Sequence, residues 1–260
     1  VWHTNQIIAI FYLLIFYLFY FKFLNNDKKL SFFVLATIFF NLAWLTRYTL
    51  FINIAMFAYL FFHARMHHKK LPIKPIAIGI SITALFISSF FLYNFLRFGN
   101  PLELGVRYQN GNQRYINFTK ENNLLSLQNI PHNSYYYFIN LPQALPQAPY
   151  IKTDPEGNSM FFFYPTLLLA FVFLIKKPII SKQMKYFLLS SLLTIGSTIV
   201  FLMLYFATGW HQLGTRYIFD IIPLIFLIII FILHTVPTTI LLFLLFFELV
   251  VNFLGVMVYF

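Results

Sequence analysis

Three short clusters hold most of the side chains in this sequence that could do chemistry. In the first, Asn41-Leu42-Ala43-Trp44-Leu45-Thr46-Arg47-Tyr48-Thr49, an arginine lies between apolar segments. A charge in such surroundings is costly and marks a functional site by default. The second runs Tyr93-Asn94-Phe95-Leu96-Arg97-Phe98-Gly99-Asn100-Pro101-Leu102-Glu103, where an apolar run exits into a Gly-Asn-Pro turn. Tyr93 and Phe98 read there as interfacial anchors, and the role of Arg97 stays open. The third is Gly209-Trp210-His211-Gln212-Leu213-Gly214-Thr215-Arg216-Tyr217-Ile218-Phe219-Asp220-Ile221-Ile222-Pro223. Its glycines permit a tight loop, and Arg216 and Asp220 share one face if a helix begins there. Such a pair either locks the helix start or presents Arg216 to an anionic ligand. Pro223 suits the first turn of the helix that follows.

The acids are Asp27, Glu103, Glu121, Asp154, Glu156, Asp220 and Glu248. Asp154-Pro155-Glu156 is a conceivable divalent-cation pair, but a solvated loop is the simpler reading. Glu248 is deep in an apolar run and reads as a polar contact between helices. His132 and His211 are candidate proton carriers, whereas His63, His67 and His68 fall among lysines and read as topology. The sequence contains no phosphate-binding G-x-x-x-x-G-K-[ST] loop, no H-E-x-x-H zinc motif and no G-x-S-x-G elbow. With no cysteine there are no disulfides, thiolate metal sites or cysteine nucleophiles. No metal site is expected.

These clusters must be positioned by membrane helices. Of the 260 residues, 60% are hydrophobic and only 10% charged, far from the soluble balance of about 45–50% and about 25%. Apolar blocks long enough for a hydrocarbon core of about 30 Å exclude an alternating β-barrel, so the expected class is all-α and polytopic. The net charge of +11 would raise nucleic acid as a partner in a soluble protein; here it is topological.

The spans expected from hydropathy are Ile7 to Phe23, Leu30 to Phe62, Ile73 to Leu96, Phe161 to Ile175, Tyr186 to Phe206, Ile218 to Leu233 and Ile240 to Phe260. As one helix, Leu30 to Phe62 would be about 50 Å long and basic at both ends, so it is expected to turn back near Asn41 to Thr49 as a short hairpin. That makes about eight membrane segments in a single transmembrane domain over 1–260, with an extracytoplasmic loop over 97–160. The cations sort by type under this topology: ten of twelve lysines fall inside and five of six arginines outside. Orientation needs only positive charge, whereas planar recognition of phosphate or carboxylate favours Arg. The outer arginines are therefore a candidate site, with pairing to loop acids or lipid headgroups as the plainer alternative.

The Leu-Thr-Arg-Tyr-Thr stretch, the Tyr-Asn-Phe-Leu-Arg-Phe-Gly-Asn-Pro exit and the Gly-Thr-Arg-Tyr-Ile-Phe-Asp-Ile-Ile-Pro segment together resemble the later membrane segments of GT-C superfamily glycosyltransferases. The similarity is greatest to the bacterial, family 39-related group of protein O-mannosyltransferases and lipid A aminoarabinose transferases. The resemblance implies an enzyme of the bacterial inner membrane that moves a sugar from a polyprenyl-phosphate donor to an extracytoplasmic lipid, glycan or protein. It makes Arg47, Arg97 and Arg216 candidates for the donor phosphate, with Asp220, Glu103 and His211 in support. In that family the catalytic acid lies in the first extracytoplasmic loop. The chain starts at Val1 after that point, so it is expected to be a fragment without the base and inactive alone. Two other readings remain: a polymerase or ligase of carrier-linked polysaccharide, and a non-enzymatic transporter. Paired repeats with broken helices and ionisable groups at mid-membrane would favour the transporter.

Overall fold

The computed structural model describes residues 2–25, 29–60, 62, 72–103, 125–176, 182–209 and 216–257. Two compact units divide the chain: Val1–Asn122 with Leu189–Thr194, and Asn123–Leu188 with Ile195–Phe260.

The first unit is built on aromatic helix packing. Helix α1 (Trp2–Asn25) lies against α2 (Leu30–Thr46), pairing Phe23 with Phe33, Phe19 with Phe32, Phe16 with Phe40 and Tyr12 with Phe39. Phe19 and Phe23 meet the start of α2 while Tyr12 and Phe16 meet its later turns, so the two helices are antiparallel. After α2 the backbone is extended at Arg47 (φ −144°, ψ 112°) and re-enters as a 3-10 helix, Tyr48–Phe57. Trp44 meets Phe51 near this break, while Phe33, at the other end of α2, meets Phe57. The chain thus turns back on itself within the expected tip, and neither leg is of membrane length.

Helix α3 (Ile73–Phe98) runs parallel to α2, because Phe33, Asn41 and Trp44 meet Gly79, Thr83 and Phe90 in the same order. A Cβ on Gly79 would stand 2.9 Å from the Phe33 ring, so the close approach of α2 and α3 needs a glycine there. Buried polar side chains add direction to this packing. Asn41 Nδ2 donates to the Thr37 carbonyl and across to Thr83 Oγ1, and its Oδ1 accepts from Trp44 Nε1. The Tyr17 hydroxyl donates to Asn53 Oδ1, and that of Tyr20 to the Met56 carbonyl. In a membrane such bonds contribute about 0.6 kcal/mol each on average.

The second unit has shorter, interrupted elements. Helix α4 (Asn129–Ser134) widens into a π-turn, Tyr135–Ile139; strands β1 (Gln143–Ala144) and β2 (Ile151–Lys152) then pair antiparallel. Helix α5 (Met160–Phe163), a 3-10 turn (Pro165–Leu168) and α6 (Leu169–Lys176) lead to α7 (Lys182–Leu204), of which residues 182–188 and 195–204 belong to this unit. A 3-10 turn (Arg216–Asp220), α8 (Ile222–Ile230), another 3-10 turn (Leu233–Thr235) and α9 (Thr238–Met257) complete it. Its apolar core includes Leu167, Leu202, Ile218, Ile221, Ile229 and Ile232.

Among the described residues, four helices are long and apolar enough to cross a bilayer: Thr4–Leu24, Ile73–Phe98, Lys185–Leu204 and Thr238–Met257. The chain is an all-α integral membrane protein. Faces of α3 (Ile80, Leu85, Leu96) and α9 (Phe243, Phe246, Leu249) stand open, which lipid tolerates and water does not. Two expected spans differ from a single helix. Phe161 to Ile175 breaks at Tyr164 (φ −133°, ψ 62°), because Pro165 lacks an N–H and drives the preceding residue out of the helical region. Ile218 to Leu233 is likewise split between a 3-10 turn and the nine-residue α8.

Candidate functional site

The break after α2 decides where Arg47 goes. The Arg47 N–H closes the last α2 turn on the Ala43 carbonyl, and its own carbonyl accepts from Leu50 N–H. The half-buried side chain is thereby held at the tip of the hairpin. Beside it the Tyr48 ring meets Phe90 edge-on at 5.4 Å, and Trp44 meets the same ring at 5.7 Å. Phe90, Tyr93 and Arg97 fall at i, i+3 and i+7 on α3, one face of the helix. Tyr48 lies at the tip, outside the four membrane-length helices. Its phenol is pushed above the ordinary value, first by burial and then by Tyr93, while Arg97 opposes.

Arg97 is exposed and lies flat against its own helix. Its guanidinium carbon is 4.9 Å from the centroid of Phe98 and 6.0 Å from that of Tyr93, and Nη1 donates to the Tyr93 hydroxyl at 3.2 Å. Stacking of this kind contributes about 0.5–1 kcal/mol at exposed sites. Of the five guanidinium N–H groups, this geometry assigns one to Tyr93. Gly99, in the left-handed region (φ 69°), closes α3 through its N–H on the Phe95 carbonyl. The chain then folds back: Asn94 Nδ2 reaches the Pro101 carbonyl, and Asn100 Oδ1 accepts from Leu102 N–H. Glu103 is half-buried at the end of this turn.

The first unit therefore has two chemically distinct ends. Because α1 opposes α2 and α3 follows it, Lys22, Lys29 and Lys74 collect at one end and Arg47 and Arg97 at the other. Lys22 Nζ rests between Phe19 and Phe32, 5.9 Å from each centroid. Two of the three arginines singled out by sequence are thus brought to one end of one unit.

The third cluster belongs to the second unit. Backbone 216–220 forms a 3-10 turn, in which positions four apart stand about a third of a turn out of line; the expected shared helical face is replaced. The Arg216 side chain and His211 lie outside the described residues. Asp220 is buried, with the core residues Ile218, Ile221 and Ile222 around it in sequence. Pro223 falls in the first turn of α8, as its type suits.

One pair escaped the sequence reading altogether. His132 Nε2 lies 2.7 Å from Glu156 Oε2, with the imidazole 4.8 Å from the Tyr136 ring. The carboxylate is carried on a stitched turn. Asp154 Oδ1 accepts from Glu156 N–H, Asn158 Oδ1 from Asp154 N–H, and Asn140 Nδ2 donates to the Gly157 carbonyl. With the proton on Nε2, the carboxylate orients the ring and leaves Nδ1 as the basic nitrogen, an arrangement suited to proton transfer. Both residues were noticed singly, but 24 positions separate them and no periodicity joins them. Among the described residues no group of three His, Asp or Glu converges as a metal site would require.

No family model matches this chain, and no curated protein or solved structure matches it.

Proposed function

We propose that this protein is a membrane glycosyltransferase that holds the phosphate of a polyprenyl-phosphate sugar at the arginine end of its first unit. One observation supports the reading most: the helix break at Arg47 and the C-terminal turns of α3 carry two arginines, with aromatic rings, to the end opposite the lysines. Guanidinium groups suit a phosphate ester, and the rings suit the first carbons of its lipid chain. In the reaction an acceptor oxygen attacks the anomeric carbon as the bond to the carrier phosphate breaks. The electron pair passes to the phosphate, where arginine offsets the growing charge. The acceptor proton goes to a carboxylate base, which in the family resembled lies in the first extracytoplasmic loop. The lysine end faces the cytoplasm and the arginine end the outside of a bacterial inner membrane, by the positive-inside rule. Counting the hairpin legs and the two interrupted segments with the four long helices, the membrane domain has eight segments. Arg216, with Asp220 and His211, remains a second candidate contact for the donor, and Glu103 a support for Arg97.

The test is transfer of label from a radiolabelled polyprenyl-phosphate sugar in membranes containing the full-length protein. Arg47→Ala and Arg97→Ala are each expected to lower transfer by roughly 10²–10³, the loss typical of removing one donor to a developing charge. Arg216→Ala is expected to abolish it with expression intact. Unchanged transfer in the first two variants overturns the phosphate site, and no transfer by the full-length protein overturns the enzyme reading.

A second reading, a transporter, is favoured by a different observation. The segment 160–176 is interrupted opposite an acid in the middle of α9, a feature associated with transport sites.

A further inference from the structure

Helix α9 carries a carboxylate near the middle of its described length, where a membrane-spanning helix tolerates charge least. Glu248 lies ten residues after Thr238 and nine before Met257, so at about 1.5 Å per residue about 15 Å of described helix precedes it and about 14 Å follows it. An ionisable side chain at that position pairs with a partner or serves a pathway. The partner here is a hydroxyl: Thr166 Oγ1 stands 2.7 Å from Glu248 Oε2. Thr166 is buried and Glu248 half-buried. The elements packed on α9 are α5, the 165–168 turn and β2. They bring two titratable side chains: Tyr164, at the break after α5, and Lys152, which is exposed and forms no ion pair with Glu248 among the described residues. Asp220 lies on the 3-10 turn whose Phe219 packs on Tyr164.

The backbone facing Glu248 is the interrupted one. One turn along α9, Asn252 Nδ2 donates to the Phe163 carbonyl at 2.9 Å and to the Glu248 carbonyl at 2.8 Å. The first of these bonds satisfies a carbonyl at the end of α5, where the chain leaves the helix before Pro165. Irregular backbone at membrane depth persists where protein buries it or where it lines a polar site. The break therefore does not depend on the charge of Glu248, because Asn252 holds it through backbone oxygens alone.

The choice of threonine is informative. A lysine partner would hold the acid ionised, and an apolar one would hold it neutral. A hydroxyl donates to a carboxylate and, after rotation, accepts from a carboxylic acid. The Thr166 contact thus survives in both protonation states. We propose that Glu248, with Thr166 beside it and Asn252 fixing the helix break, is a proton-binding site within the membrane domain. The proton is gained and lost at the Glu248 carboxyl oxygens while the Thr166 hydroxyl reverses its direction. The proposal does not depend on the sugar-transfer reading.

Dicyclohexylcarbodiimide tests it, since a carboxylic acid O–H in apolar surroundings adds across the reagent's C=N bond and the product rearranges to a stable acylurea with no leaving group. The protein in lipid vesicles is treated across a pH series, and the adduct on the α9 peptide is measured by mass spectrometry. The expected result is labelling of Glu248 at acid pH that falls by about tenfold per pH unit above a midpoint, and its disappearance in Glu248→Gln. Thr166→Val removes a donor to the charged form and is expected to raise the midpoint by about one pH unit, whereas Thr166→Ser leaves it in place. Absence of the adduct at every pH, an adduct insensitive to pH, or an unmoved midpoint in Thr166→Val overturns the proposal. Protection by added sodium at constant pH also overturns it, reassigning the carboxylate to a metal cation. Should Thr166→Val fail to insert, the pH series on the parent protein decides the matter by itself.

Discussion

The two units share one use of asparagine, donation to a backbone oxygen, and differ in a second: in the first unit the amide also bonds other side chains. In the first unit Asn41 and Asn53 receive bonds from other side chains: Trp44 reaches Asn41 and Tyr17 reaches Asn53. The helices there are long, so their backbone groups are already paired and a buried amide is free to tie one helix to its neighbour. In the second unit the described asparagine donors go to backbone oxygens alone. Asn129 donates to Leu204, Asn133 to Leu202, Met203 and Tyr205, Asn140 to Gly157, and Asn252 to Phe163. The last turn of a helix leaves four carbonyls without intrahelical partners, and an interrupted segment multiplies such ends. The difference teaches that polar side chains in the first unit choose between packings, whereas those in the second make a broken backbone tolerable at all.

The comparison breaks most readily at Asn133. Two N–H hydrogens there serve three carbonyls at the end of α7, and a buried acceptor left unpaired costs about 1–3 kcal/mol. Asn133→Ala is therefore expected to destabilise the protein by about 3 kcal/mol, read as thermal unfolding in detergent. Asn133→Asp, which aims an oxygen at those carbonyls, is expected to be worse still. Equal stability of Asn133→Ala and the parent would remove the backbone-holding role.

A smaller effect is expected where the first unit depends on shape. Gly79→Leu forces side-chain atoms into the Phe33 ring and parts α2 from α3, at the roughly 1–3 kcal/mol usual for overpacking. Trp44, which spans the same contact, should then show red-shifted fluorescence as it loses its apolar surroundings. An unshifted spectrum would mean that the two helices do not need close approach. The smallest effect sharpens the contrast. A double-mutant cycle on Asn41→Leu and Thr83→Val should return a coupling of about 0.6 kcal/mol, well below the Asn133 loss. A coupling as large as that loss would erase the distinction between the units.

Much of the first unit was legible because hydropathy and charge act locally. A 33-residue apolar stretch too long for one crossing and basic at both ends implies a turn, and the backbone breaks at Arg47, inside the expected tip. The second unit was less so. Phe161 to Ile175 reads as an ordinary span by hydropathy, and Pro165 was the available signal that it is not. Asp154 and Glu156 read as a possible cation pair, yet the structure turns Glu156 toward His132. Glu248 was recognised as an interhelical contact, but Thr166, 82 residues earlier, could not be named from spacing.

By itself the sequence determined that this is a helical membrane protein, because transfer free energy depends on residue type and near neighbours. Only the tertiary structure decided which polar groups meet. His132 with Glu156, Asn133 with the end of α7, and Glu248 with Thr166 join distant parts of the chain. Pairings at such separations follow from how helices cross and where they break, which no local period records.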